Sequence, residues 1–177
     1  MDTILCDLPE IEHLDGEAFP KVSPKRTHAI VQRVLGEIVS GCAGDRGEVG
    51  SEWRFETGVL DRTETDLIPD LAFVSYARLD NLDDEAAEEP PFSPDIAIEI
   101  RSPSHRAALL ERKIRKYLAT GSVLVLDVDP ATRIIIAHDV DGARLYESDD
   151  DFAHPAAPWL QFKVASAFPI RRRRLQP

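Results

Sequence analysis

The chain has 177 residues, of which 43% are hydrophobic and 30% charged, and it carries a net charge of −11. That length suits one domain with a core of its own, and the composition is that of a soluble globular protein, not a disordered one. No run of about 18 apolar residues exists, which excludes a helical membrane span, and the excess of acid argues against broad affinity for nucleic acid, which needs a basic footprint.

The opening residues, MDTILCDLPEIEHLDGE, are acidic and lack the basic and apolar regions of a secretory signal. The only cysteines, Cys6 and Cys42, sit far apart without a CxxC spacing. Together these features point to a reduced, cytoplasmic protein. Residues 1–22 read as irregular with a short extended stretch. Ser23-Pro24 then predicts a helix opening, Ser as N-cap and Pro at the first position. Ile30, Val31, Val34, Leu35 and Ile38 supply an amphipathic stripe, and Gly41 is placed to stop it. The Gly-rich GCAGDRGEVGS reads as a loop before a strand at EWRFET. IPDLAFVSY (68–76) is a stronger strand, and the acidic segment 80–90 reads as a flexible insertion.

PDIAIEIRSPS (94–104) follows as the next strand, with Ile96, Ile98 and Ile100 on one face and Asp95, Ala97, Glu99 and Arg101 on the other. Ser102-Pro103-Ser104 breaks it and caps a helix over about 105–119, whose stripe is Leu110, Ile114, Tyr117 and Leu118. SVLVLDV (122–128) is a nearly continuous apolar run, as expected of a central strand. RIIIAHDV, the Asp141-Gly142 turn and ARLYES complete a β-meander. The run RRRR closes the segment 171–174 as a basic tail. The whole reads as a single α/β (α+β) domain with a mixed central sheet flanked by helices.

One short pattern repeats: Pro69-Asp70-Leu71-Ala72 and Pro94-Asp95-Ile96-Ala97 both read Pro-Asp-aliphatic-Ala. Along one strand Asp95 and Glu99 lie about 13 Å apart, too far to share an ion, whereas neighbouring strands are only about 4.8 Å apart. Asp70 and Glu99 are therefore the pair that can converge on one hard cation. Mg²⁺ (or Mn²⁺) is the natural occupant, because it is held by one or two carboxylates and keeps its other positions for water and phosphate. Asp95 is better suited to bonding local backbone N–H groups and stands as a secondary candidate. Arg101, two residues beyond Glu99, can clamp a phosphate. Lys113, at the edge of its helix stripe, can reach the sheet and assist an attacking water.

The segments SPKRTHAIVQRVLGEI, IPDLAFVS, PDIAIEIRSPSHR and KIRKYLATGSVLVLDVDP, which span roughly residues 10 to 140, resemble the Uma2 family (DUF820) of endonucleases in the PD-(D/E)XK nuclease superfamily. The specific part is Pro-Asp-x-x-x-Glu-x-x-Ser-Pro-Ser. The resemblance implies a restriction-endonuclease-like core and divalent-metal hydrolysis of DNA. It assigns the first metal acid to Asp70 and the (D/E) position to Glu99, with Arg101 where the superfamily motif has lysine. The family supplies its base from the next helix, at the position of Lys113, and the superfamily's helix acid falls on Glu37. Two features depart from the pattern: Val123-Leu124-Val125-Leu126 replaces an aromatic strand, and the acidic insert 80–89 would repel phosphate if it lay near the site. The alternative reading is a catalytically inactive interaction or regulatory module on the same fold, a homodimer through its meander.

Overall fold

Alternation at Ile96, Ile98 and Ile100 places this segment at the centre of a six-stranded sheet in the computed structural model, which describes residues 10–21, 24–59, 62–102 and 107–169. A hairpin of β1 (Ile11–Leu14) and β2 (Glu17–Pro20) comes first, then helix α1 (Arg26–Ala43) and strands β3 (Gly47–Ser51) and β4 (Leu71–Ser75). Two short helices, α2 (Tyr76–Leu79) and α3 (Asp84–Glu88), lead to β5 (Ile96–Ile100), helix α4 (Ala107–Ala119) and β6 (Leu124–Asp129). β7 (Ile134–Asp139), β8 (Gly142–Tyr146) and a second hairpin of β9 (Asp151–His154) and β10 (Ala157–Lys163) complete the order. The sheet runs β3-β4-β5-β6-β7-β8. Only β5 and β6 are parallel, because α4 carries the chain back between them; every other neighbouring pair is antiparallel.

The two faces of β5 take different partners. Ile96, Ile98 and Ile100 meet Val31, Leu35 and Val39 of α1, and the second hairpin closes the same core with Phe152, Ala157 and Leu160. Each such side chain contributes about 2 kcal/mol by leaving water. Trp159 packs tilted against Phe73 at 4.7 Å and Phe152 against Tyr146 at 4.7 Å, so Trp159 anchors the second hairpin on β4. On the other face Ala97 and Val125 leave room for Leu110, Ile114 and Tyr117 of α4, with Leu14 from the first hairpin sealing the edge. No described helix is long and apolar enough to cross a membrane.

The mixed sheet, the two flanking helices and the meander agree with the sequence reading, and several local expectations change. The first hairpin replaces an irregular lead: Asp15 (φ 54) and Gly16 (φ 83) form its two-residue turn, a sequence Asp-Gly signal of the type I′ kind. α1 passes through Gly41 and ends at Gly44, whose φ of 53 only glycine adopts freely and whose N–H bonds the Ser40 carbonyl. Its N-cap residue is Lys25, which makes no side-chain cap; Ser23 lies outside the described residues, as do Pro103, Ser104 and the arginines 171–174. The strand expected at 52–57 falls instead on Gly47–Ser51, within the Gly-rich stretch, and only Phe55 forms an isolated bridge, to Leu67. The acidic segment is not featureless. Asp83 caps α3 by accepting from Ala86 N–H, and Trp53 Nε1 donates to the Glu88 carbonyl at 2.9 Å.

Gly47 is required by close packing: a Cβ there would lie 2.0 Å from the Val74 carbonyl oxygen. Backbone cannot rotate aside as a side chain can, so Gly47→Ala must push β3 off β4. We expect a loss of about 1–3 kcal/mol in urea-unfolding stability, the range for overpacked sites.

Candidate active site

Register places the acids. β4 and β5 pair Leu71 with Ile98, Ala72 with Ala97 and Phe73 with Ile96. One step further along this antiparallel ladder, Asp70 stands opposite Glu99. The Ile100 N–H, next in line, donates to Asp70 Oδ2 at 2.7 Å. Because the two strands run in opposite directions, their identical Pro-Asp openings lie at opposite ends. Asp95 is thus remote from Glu99; it accepts from the Ser75 N–H at 2.7 Å and pairs with Arg78 at 3.4 Å. α2 leaves β4 at this same far end, whereas the end of the acidic segment returns toward the residues after β3, where Glu89 lies 3.9 Å from Arg54.

Four other elements converge on the Asp70–Glu99 end. His28, in the first turn of α1, lies with Nε2 3.0 Å from Asp70 Oδ2. One turn later Gln32 Nε2 donates to the Asp70 carbonyl at 2.8 Å and to Glu52 Oε1 at 2.7 Å. Lys21, just after β2, contacts Glu52 at 2.5 Å, the Ile68 carbonyl at 2.5 Å and Asp70 Oδ1 at 3.5 Å. From α4, Lys113 bridges Glu99 at 2.5 Å and Glu12 of β1 at 2.8 Å, while Tyr117 donates its hydroxyl to Glu99 at 2.9 Å. Glu12 in turn accepts from the Ile68 N–H at 2.8 Å.

Burial makes these charges consequential. Asp70 is 4% and Glu99 2% exposed. Burial alone would raise Asp70, but the His28 hydrogen bond, the Lys21 charge and the Ile100 N–H hold it down at about 2. Glu99 is pushed up to about 7, first by burial; Lys113 pulls against this, while Asp70 and Glu12 add repulsion. For Lys113 burial works toward the neutral amine, yet Glu99 and Glu12 prevail and its pKa is raised. Lys113 therefore remains an ammonium and cannot accept a proton from water in this arrangement; it offsets negative charge. Tyr117 is raised well above its ordinary value, chiefly by burial, and stays a hydroxyl donor.

Four carboxylates (Glu12, Glu52, Asp70, Glu99) thus face two lysines and one imidazole. Even with His28 charged the cluster has a carboxylate surplus, which fits a divalent cation. Among the described residues no group of three or more His, Cys, Asp or Glu is arranged as a metal cage. Two carboxylates, such as Asp70 and Glu99, are within the number that an ion like Mg²⁺ takes from a protein.

The remaining candidates lie elsewhere. Arg101 forms a two-pronged pair with Asp127, the β6 residue that the parallel register sets beside Glu99, at 2.7 and 2.5 Å, and approaches Asp129 at 3.8 Å, so its guanidinium is turned across β6 and held by two acids there. Glu37 is 65% exposed on the outer face of α1 and pairs with Arg33. The helix stripe explains this: the buried line runs through Val31, Leu35 and Val39, and Glu37 falls off it. Glu12, Lys21, His28, Gln32 and Glu52 escaped the sequence reading. For Glu12 a signal existed, since it alternates with Leu14 ahead of an Asp-Gly turn. Glu52 carries none, because its position depends on a positive φ of 54 at the end of β3, a conformation costing on the order of 1 kcal/mol.

The model of the Uma2 family, described as "Putative restriction endonuclease", matches residues 4–161. The crystal structure of a "putative nuclease belonging to DUF820" from Anabaena variabilis ATCC 29413 has the same fold, with a TM-score of 0.78 and 20% identity over 90% of each chain. No curated protein matches the chain.

Replacing Lys113 with Met leaves two buried carboxylates without their shared cation, and should cost about 3–5 kcal/mol in urea unfolding. The pH dependence has a definite sign. Glu99 binds its proton more tightly folded, at about 7, than unfolded, at an ordinary carboxylate value. The folded state then holds more protons between these values, and stability falls as pH rises through the window. Urea titrations of Glu99→Gln should lose that decline between about pH 4.5 and 7.

Proposed function

The chain belongs to the Uma2 family, and from that premise we propose that it is a divalent-metal-dependent endonuclease hydrolysing DNA phosphodiester bonds. The observation that carries this reading is the antiparallel register that sets Asp70 opposite Glu99 inside a cluster with more carboxylates than cations. Asp70 and Glu99 would hold Mg²⁺ or Mn²⁺. Such an ion lowers the pKa of bound water and neutralises charge on phosphoryl oxygens.

The chain's own groups have separable tasks. His28 and the Ile100 N–H keep the Asp70 carboxylate ionised and aimed, and Gln32 fixes its backbone through the carbonyl, so that it needs no reorganisation when ligand arrives. Tyr117 and Lys113 orient the Glu99 carboxylate. With Glu99 as a metal ligand, the adjoining Lys113 ammonium would offset charge developing on the phosphate. Lys21, at the open side, is the group placed to receive a phosphate oxygen. Both act by charge, since each is held protonated by its acidic neighbours. Arg101 is committed to Asp127 and Asp129, and we assign it to strand cohesion, not to substrate.

The competing reading, a catalytically silent module, draws on the same ion pairs, because each acid already has a protein partner. Calorimetric Mn²⁺ titration together with cleavage of plasmid and oligonucleotide DNA separates the two. Under the nuclease reading Asp70→Asn and Glu99→Gln each weaken Mn²⁺ binding by at least about tenfold and abolish cleavage, while Lys113→Ala retains Mn²⁺ and lowers the rate by about 10²–10³, the scale of one electrostatic donor. Unchanged Mn²⁺ affinity in both acid variants, or none in the wild type at millimolar concentration, would refute the assignment.

A further inference from the structure

A groove of about 650 Å³ opens between α1 and β3 and reaches the edge of the acid cluster. Its helix wall is Gln32, Gly36 and Ser40, its strand wall Val49 and Ser51, and its floor Leu71. From Gln32 to Ser40 the helix rises about 12 Å. Lys21 and Glu52 line the inner end and also belong to the cluster, so the groove borders the cluster through this pair, Lys21 lying 3.5 Å from Asp70 Oδ1. Room exists because position 36 lacks a side chain; a Cβ there would sit 3.4 Å from Leu71 Cδ2.

We infer that this groove receives one unpaired nucleotide beside the scissile phosphate, so that the protein acts on single-stranded or gapped DNA in preference to intact duplex. The inference rests on the nuclease reading above and specifies its substrate class. Size comes first. A cavity of this volume accepts a drug-sized group, hence a single nucleotide, whereas duplex DNA, whose major groove alone is about 12 Å wide, cannot enter it. Charge agrees. Around the groove Lys21 and Arg33 are balanced by Glu10 and Glu52, so its interior does not select a phosphate. Phosphate belongs at the ammonium groups by Asp70 and Glu99. An apolar lining of Leu71 and Val49 with a hydroxyl and carboxylate rim instead matches a neutral base, whose faces are apolar and whose edges carry amino donors.

Filling the groove tests this directly. Gly36→Leu and, at the far end, Ser40→Leu place side chains within it; leucine suits a helix better than glycine, and melting curves verify folding. Gly41→Leu serves as control, because a Cβ at Gly41 meets nothing within 4 Å. With Mn²⁺ and matched fluorescent oligonucleotides, wild type and Gly41→Leu should cleave the single strand at least about tenfold faster than the blunt duplex. Gly36→Leu and Ser40→Leu should lose that preference through a slower single-strand reaction while binding Mn²⁺ as wild type does. Equal wild-type rates on both substrates, or an undiminished preference in both filled variants, would overturn the groove assignment and leave the metal site standing. Loss of Mn²⁺ binding and cleavage in the wild type itself would overturn the nuclease reading, and the inference with it.

Discussion

The pairing of β4 on β5 is the constraint from which the rest of the site follows. Three paired positions, Leu71 with Ile98 through Phe73 with Ile96, set the register, and the next position brings a carboxylate from each strand to the same edge. A slip of one residue would turn Asp70 toward α1 and bury its charge among Val31 and Leu35. The hydrophobic alternation of β5 therefore protects the site: Ile96, Ile98 and Ile100 cannot leave the core without moving Glu99 into it. The chemistry depends on the packing of residues that take no part in it.

Burying two acids side by side is unfavourable, and the fold supplies compensation from every direction. α1 contributes His28 and Gln32, α4 contributes Lys113 and Tyr117, and the first hairpin contributes Glu12 and leads into Lys21. Such networks add little net stability, because desolvation takes back most of what attraction provides. What they provide here is a cluster whose protonation states diverge. Asp70 is held low by hydrogen bonds, Glu99 is raised by its burial and acidic neighbours, and Lys113 stays charged between two acids. Perturbations of opposite sign in adjoining groups recur at functional sites, and structural ion-pair networks produce them too.

Legibility varied with the range of the interactions involved. Period-two and period-3.6 patterns revealed β4, β5, α4 and the meander, since side-chain alternation reflects burial directly. β3 was hidden because Gly47 and Gly50 have no side chains to alternate, and they are glycines because Val74 and Trp53 press against them. Asp70, Glu99 and Lys113 were accessible through the Pro-Asp repeat and the spacing to α4. Glu37 was not a member of the cluster because a helix turn sends it to solvent, while Arg101 found two acids on β6 that lie over 25 positions away in the chain.

By itself the amino-acid order determined which faces must be buried, hence β4 to β8, the two main helices and the acids available to meet at a sheet edge. It also determined an acidic surface and the absence of a long apolar helix. Only the tertiary structure decided which acids meet. Antiparallel pairing sent Asp95 to the far end and brought Asp70 to Glu99, although both aspartates open their strands with the same Pro-Asp-aliphatic-Ala pattern. It also drew in Glu12, Lys21 and Glu52 from segments whose local patterns reveal no such destination. The physical reason is that burial is written in local periodicity, whereas ion pairs between distant elements depend on register and crossing, which local sequence does not encode.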